Sequence, residues 1–173
     1  SGLLHPTSGA FFINDDTFRK INLQQYRSQI GTILNGETLF EGSIRENITF
    51  NDPMLTSEDL KWVIEAMQLG DLIKSLPNGL ETRIFPEGKQ LTSSNSQKIL
   101  LARSIIHKPK VLFFENPTDH MDDAVAKDII EFLCAPNQQW TVIVSSKNQL
   151  WKTKATRHIM MQNGKIVSDI QKN

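Results

Sequence analysis

A chain of 173 residues, 39% hydrophobic and 22% charged, has the composition of an ordinary globular domain, long enough to bury one core. Its 19 basic and 19 acidic side chains cancel, so the electrostatic footprint of a nucleic-acid or anionic-membrane binder is missing. Cys134 is the single cysteine, which excludes an internal disulfide and fits a reducing compartment; no metal-ligand or catalytic spacing surrounds it, and it reads as a small buried hydrophobe. No apolar run approaches the roughly 18 residues of a transmembrane helix, and the opening SGLLHPTSG lacks the basic and apolar regions of a signal peptide. The chain itself is expected to be soluble.

In chain order, HPTSG at residues 5–9 is turn chemistry before a short apolar strand at 10–13, and residues 14–16 turn again. Residues 30–34 read as a strand. Ser43 stands where it could cap a short helix starting near Ile44. Residues 57–69 form a clearer helix, with Leu60, Val63, Ile64 and Met67 at helical spacing, Ser57 as the expected cap and acids in the first turn. A second short helix at 71–75 ends at Pro77-Asn78-Gly79. Residues 99–106 continue a helix that stops before Pro109, and 111–114 is an apolar run expected to be a strand buried on both faces. Residues 123–133 make a helix with Val125, Ile129, Phe132 and Leu133 on one side, and 141–144 another buried strand. Residues 158–161 and 165–167, joined through Asn163-Gly164, are a hairpin. Strands alternating with helices predict an α/β layered core without internal repeats.

The stretch LTSSNSQKILLARSIIHKPKVLFFENPTDHMD, residues 91–122, runs from a serine-rich loop through a helix and an apolar strand to a polar turn. In that order it resembles the signature-to-Walker-B block of an ATP-binding cassette (ABC) domain, where LSGGQ opens a helix and an apolar strand carries an Asp-Glu pair. PTSG at 6–9, LFEGSIRENI at 39–48 and LPNGLETRI at 76–84 are each similar to stretches of export-type ATPase domains, and their joint order is far more specific than any one. The resemblance spans residues 3–167. It implies a P-loop NTPase-like α/β core with a parallel sheet, and a single domain over 1–173 corresponding to the part downstream of the P-loop. Within it, a helical subdomain at about residues 40–106 would contact transmembrane helices.

No G-x-x-x-x-G-K-[ST] occurs in the sequence. The strand, loop and helix that cradle phosphate therefore either lie outside these residues or are lost. Loss would open an apolar gap in a parallel sheet, which argues for the former; in the latter case a partner must fill the gap.

At the other positions the resemblance implies altered chemistry. Asn35 stands at the Q-loop glutamine, which reaches Mg²⁺ and the attacking water; Asn is one methylene shorter, and a polar residue after a strand is the plainer reading. Thr92 keeps the signature's hydroxyl, while Ser93 and Ser94 replace the two glycines that let backbone approach the γ-phosphate of a facing subunit's ATP. The same serines would serve as simple helix-capping residues. Glu115 replaces the Walker B aspartate and could still support Mg²⁺ through water, displaced by about a bond length. Asn116 takes the place of the catalytic glutamate, and an amide cannot accept a proton at neutral pH. Lys147 sits at the switch histidine, where it is either a point charge for phosphate or a solvated loop cation. In the D-loop, residues 119–122, Asp122 is kept while His120 and Met121 are changed.

The function so implied is a degenerate ATP-binding domain of an ABC-type exporter, coupling or regulating transport with impaired or no hydrolysis. ATP and Mg²⁺ are the implied cofactors. Transmembrane domains and an identical or more complete nucleotide-binding domain are the implied partners, at the cytoplasmic face of a membrane. The alternatives are an active ATPase, with Glu115 or another carboxylate supplying charge and Lys147 steadying the γ-phosphate, and a non-transport scaffold that keeps the ABC fold.

Overall fold

The computed structural model describes residues 6–13 and 15–172. His5 and Asn14, assigned to turns from the sequence, lie outside them. Strand β1 (Phe12–Ile13) pairs antiparallel with β2 (Asp16–Thr17), a shorter element than the strand expected at 10–13. Helix α1 (Leu23–Arg27), which the polar sequence did not announce, is started by Asn22, whose Oδ1 accepts from the amides of Gln24 and Gln25. Strand β3 (Ile30–Ile33) follows, then β4 (Gly42–Ser43) and α2 (Ile44–Thr49). Ser43 caps α2 as expected, and Glu46 reaches back to the Ser43 amide to complete a capping box.

Helix α3 (Ser57–Ala66) corrects two expectations: it stops at Ala66 rather than at 69, with Gln68 at φ 52°, and its cap is Thr56, not Ser57. The Thr56 hydroxyl accepts from the Asp59 amide at 3.1 Å, and the Asp59 carboxylate accepts from the Thr56 amide at 3.1 Å, so Ser57 becomes the first helical residue. Thr56→Ala is expected to cost about 1 kcal/mol, read as a lowered urea midpoint with unchanged slope. The hydrogen bond from Lys108, at 2.7 Å, together with those from Thr56, holds the Asp59 carboxyl well below the ordinary carboxylate range. A depressed native-state pKa gives stability that is present above the unfolded-state value and lost as pH falls through the native one. Urea stability should therefore decline from about pH 4 downward, and Asp59→Asn should flatten that decline.

Helix α4 (Gly70–Ser75), β5 (Arg83–Ile84, antiparallel to β4) and the long α5 (Ser93–Ile105) come next. The chain then runs through β6 (Val111–Glu115), α6 (Asp123–Leu133), β7 (Thr141–Ser145) and α7 (Gln149–Lys154). It ends in the hairpin β8 (Arg157–Gln162) and β9 (Lys165–Gln171). Asn163 and Gly164 both have positive φ, at 51° and 75°, as the two-residue Asn-Gly turn demands.

The central sheet is parallel, ordered β3-β6-β7, and it confirms the α/β architecture. Its register places Ile33, Phe114 and Val144 on one face, with Leu112 and Val142 beside them; this face joins the core with Leu101, Ile105 and Ile129. Phe113 and Ile143 share the other face, where Ile143 is 51% exposed. The expectation that these strands are buried on both sides is thus corrected. Their apolar runs fit a doubly covered sheet, but among the described residues only one face packs into the core cluster. Gly31 lets β3 lie directly against α5: a Cβ built there would stand 2.1 Å from the Ser104 carbonyl oxygen. At the far side of the core, Trp62 of α3, Phe132 of α6 and Trp140 form a cluster with ring centroids 6.2 to 6.5 Å apart, and Lys108 lies over Trp62. No helix among the described residues is long and apolar enough to cross a membrane.

Candidate functional site

Parallel strands all point their carboxyl ends the same way, and in open α/β sheets ligands bind outside those ends. Here those ends carry the loop after β3 with Asn35, the end of β6 with Glu115 and Asn116, and the loop after β7 with Lys147. The structure joins two of them directly and ties a third to β7. The Asn35 amide donates to Glu115 Oε2 at 3.1 Å, and the Asn116 amide donates to the Ser145 carbonyl at 2.8 Å. Asn116 has φ of 48°, a left-handed conformation that asparagine tolerates better than most side chains.

Beyond Asn116 the chain turns tightly. The Asp119 amide donates to the Asn116 carbonyl and the Met121 amide to that of Thr118, which delivers Asp122 to the start of α6. Asp122 occupies the cap position without a side-chain cap bond. Buried Thr118 accepts from Nε1 of buried Trp151 at 3.0 Å, tying this turn to α7. Lys147 is exposed, one residue before Asn148 caps α7 through the Leu150 amide.

Thr92, Ser93 and Ser94 lie at the start of α5. Thr92 caps α5 by accepting from the Asn95 amide, whereas Ser93 and Ser94, read as capping residues, form the first helical turn, which corrects that reading. Ser104, at the other end of α5, marks where the helix meets β3, roughly 16 Å along the axis at 1.5 Å per residue.

Three residues not singled out from the sequence organise the surroundings. Glu37 accepts from the Leu34 amide at 3.2 Å and faces Arg103 at 3.7 Å. Arg103, its side chain 8% exposed, donates to both oxygens of Asn47 at 2.7 Å and to the Thr38 carbonyl. Burial lowers its pKa, opposed by Glu37. Trp151 is the third. Each is an ordinary residue type at an unremarkable spacing, and only the fold brings it to its partners. A cavity of about 660 Å³, bordered by Gln29, Gly31, Glu37, Phe50, Arg103 and His107, runs beside β3 and reaches the loop that follows it.

As a metal site, the strand ends offer one carboxylate and one amide oxygen, from Glu115 and Asn35. Among the described residues no group of three or more His, Cys, Asp or Glu could hold an ion. This donor set fits Mg²⁺ only as the small protein share of a site whose other ligands are phosphate and water. Burial raises the Cys134 thiol pKa, as suits a packed thiol.

Comparison with known proteins places the chain in a family. The model of the family described as ABC transporter matches residues 1–119. The chain is 31% identical over 163 residues to the ABC-type transporter kk1G of Curvularia clavata, covering 93% of this chain and 12% of that protein. It is 30% identical over 168 residues to the ATP-dependent permease MDL1 of Candida albicans, covering 95% of this chain and 24% of the relative. The Colicin V secretion/processing ATP-binding protein CvaB of Escherichia coli is 36% identical over 125 residues, 70% of this chain and 17% of that protein. The chain thus spans between an eighth and a quarter of the curated relatives it matches. In fold it superposes with a TM-score of 0.88 on a bacterial Atm1-family ABC exporter with ATP bound, at 19% identity, covering 95% of this chain and 29% of that one. The chain belongs to the ABC transporter family and has the fold of its ATP-binding domains.

Proposed function

We propose that this chain is the nucleotide-binding domain of an ABC exporter in which ATP hydrolysis is impaired or absent, so that the domain couples or regulates transport. The observation that carries this reading is Asn116 at the end of β6, beside Glu115, in the position the family gives to its catalytic glutamate. Its amide side chain cannot take a proton from water. Lys147 in place of an imidazole, and Ser93 and Ser94 in place of two glycines, weaken the same chemistry further.

ATP and Mg²⁺ bind in this reading with the phosphates held by a P-loop segment outside residues 1–173. Mg²⁺, when bound, supplies charge neutralisation at the β- and γ-phosphates. Glu115 and Asn35 would face it, and Thr92, Ser93 and Ser94 would face the nucleotide of a second, identical or more complete domain. The uncovered sheet face around Phe113 and Ile143, and the edge of β7 that pairs with no described strand, support a covering segment of that kind. Transmembrane domains would dock on the helical part, about residues 40–106, at the cytoplasmic face of a membrane. The cavity beside Phe50 and Arg103, with Phe50 61% exposed, supports that surface.

Titrating the protein at its natural length with Mg-ATP in a calorimeter tests the binding half of the reading. Saturable binding is the expected result. Absence of binding would shift the reading to a scaffold that keeps the ABC fold.

A further inference from the structure

The loop between β3 and β4 is held from two sides by protein groups alone. On one side the Glu115 carboxylate, at the end of β6, accepts from the Asn35 amide at 3.1 Å. On the other, Glu37 folds back to accept from the Leu34 amide, and Arg103 of α5 reaches the Thr38 carbonyl at 3.3 Å while facing Glu37. Arg103 is itself fixed by two 2.7 Å bonds to Asn47 and lies over the rings of Phe40 and Phe50. Asn35 is thereby tied to the sheet, Glu37 and Thr38 to α5, and Leu34 to Glu37 within the loop.

The length of the side chain at position 115 decides whether the first tie exists. Ile33 pairs with Phe114, so Glu115 stands opposite Leu34 and must reach one residue further along the neighbouring chain. An aspartate would withdraw its carboxylate by about one C–C bond, ~1.5 Å. The contact would then lie beyond hydrogen-bond reach. A glutamine keeps both the reach and an acceptor oxygen.

We propose that Glu115 is a positioning residue that, with Glu37 and Arg103, locks loop 34–38 in one arrangement without metal or nucleotide. The carboxylate is used as a strut between two strand ends, and the loop that leads to β4 keeps its shape whether or not a ligand arrives. The significance of a preset loop rests on the reading of Asn35 and Glu115 as nucleotide-facing positions. The lock itself is tested without ATP, so its failure is distinguishable from the failure of that reading.

The test is hydrogen-deuterium exchange with residue-level fragmentation on the natural-length protein, free of Mg²⁺ and nucleotide, reading the Asn35 amide. Glu115→Gln should retain most of the protection, whereas Glu115→Asp and Glu115→Ala should speed exchange about tenfold, the worth of one hydrogen bond to a charged acceptor. Amides within α5 serve as the folding control, and the Gln and Asp variants carry the test should the Ala variant not fold. A carboxylate whose task is to hold metal predicts the reverse order, with Asp the better substitute. Protection by Asp equal to wild type, loss of protection in Gln as complete as in Ala, or release of the wild-type Asn35 amide by millimolar Mg²⁺ alone would each overturn the proposal.

Discussion

Asn116→Glu should raise the rate of phosphate release on the order of 10²-fold, the lower end of what a positioned general base contributes. The gain stays at that end because Lys147, Ser93 and Ser94 remain as they are, and groups acting as a unit do not contribute independently. The same substitution should weaken the fold. Asn116 sits at φ 48°, where asparagine is at ease and a glutamate is not, and a non-glycine residue held in that region costs about 1 kcal/mol or more. Higher turnover with a lower melting temperature is the paired signature, read from phosphate release and thermal unfolding of one preparation. Unchanged turnover would mean that the base is not the missing element.

Gly31→Ala is expected to be the most damaging single methyl group in the chain. The added carbon would meet the backbone oxygen of Ser104 at 2.1 Å and Leu112 Cδ2 at 2.7 Å. The first is main chain in the middle of the packing between β3 and α5, so it cannot swing aside as a side chain would. Relief requires the sheet and the helix to separate, at about 3 kcal/mol, the upper range for overpacked cores. In a domain of this size that is a drop of roughly 10 °C in Tm. Because β3 leads directly into the loop carrying Asn35, a displaced strand should also loosen Asn35 from Glu115. Ser104→Ala, which leaves the backbone oxygen in place, should not rescue the variant.

The parts of this fold legible in the sequence are those written in local patterns. The spacing of Leu60, Val63 and Met67 marks α3, and all three are buried. The Asn163-Gly164 pair marks the hairpin, and the apolar runs mark β6 and β7. What was hidden depends on contacts between distant residues. The pair β4 and β5 is two residues long in each strand, too short to show an alternating pattern, and joins residues some 40 positions apart. Helices α1 and α7, of five and six residues, are too short to show a period and rest on the Asn22 and Asn148 caps. Thr56 and Ser57 are both capping residues, and only the reciprocal bond with Asp59 picks the first.

The site divides in the same way. Asn35, Glu115, Asn116 and Lys147 could be named because family resemblance and strand order put them at the same ends of parallel strands. That Glu115 spends an oxygen on the Asn35 backbone could not be foreseen, because it depends on a register between residues 80 positions apart. Glu37, Arg103 and Trp151 carry no motif at all. Their roles follow from burial: once Arg103 is enclosed, its donors must find Asn47, Thr38 and Glu37.

The most direct test of the central claim is steady-state phosphate release by the natural-length protein at saturating Mg-ATP. Release indistinguishable from the protein-free background is the predicted result. Turnover of about 1 s⁻¹ or faster, within the usual range of working enzymes, would contradict the assignment of Asn116 as a lost general base.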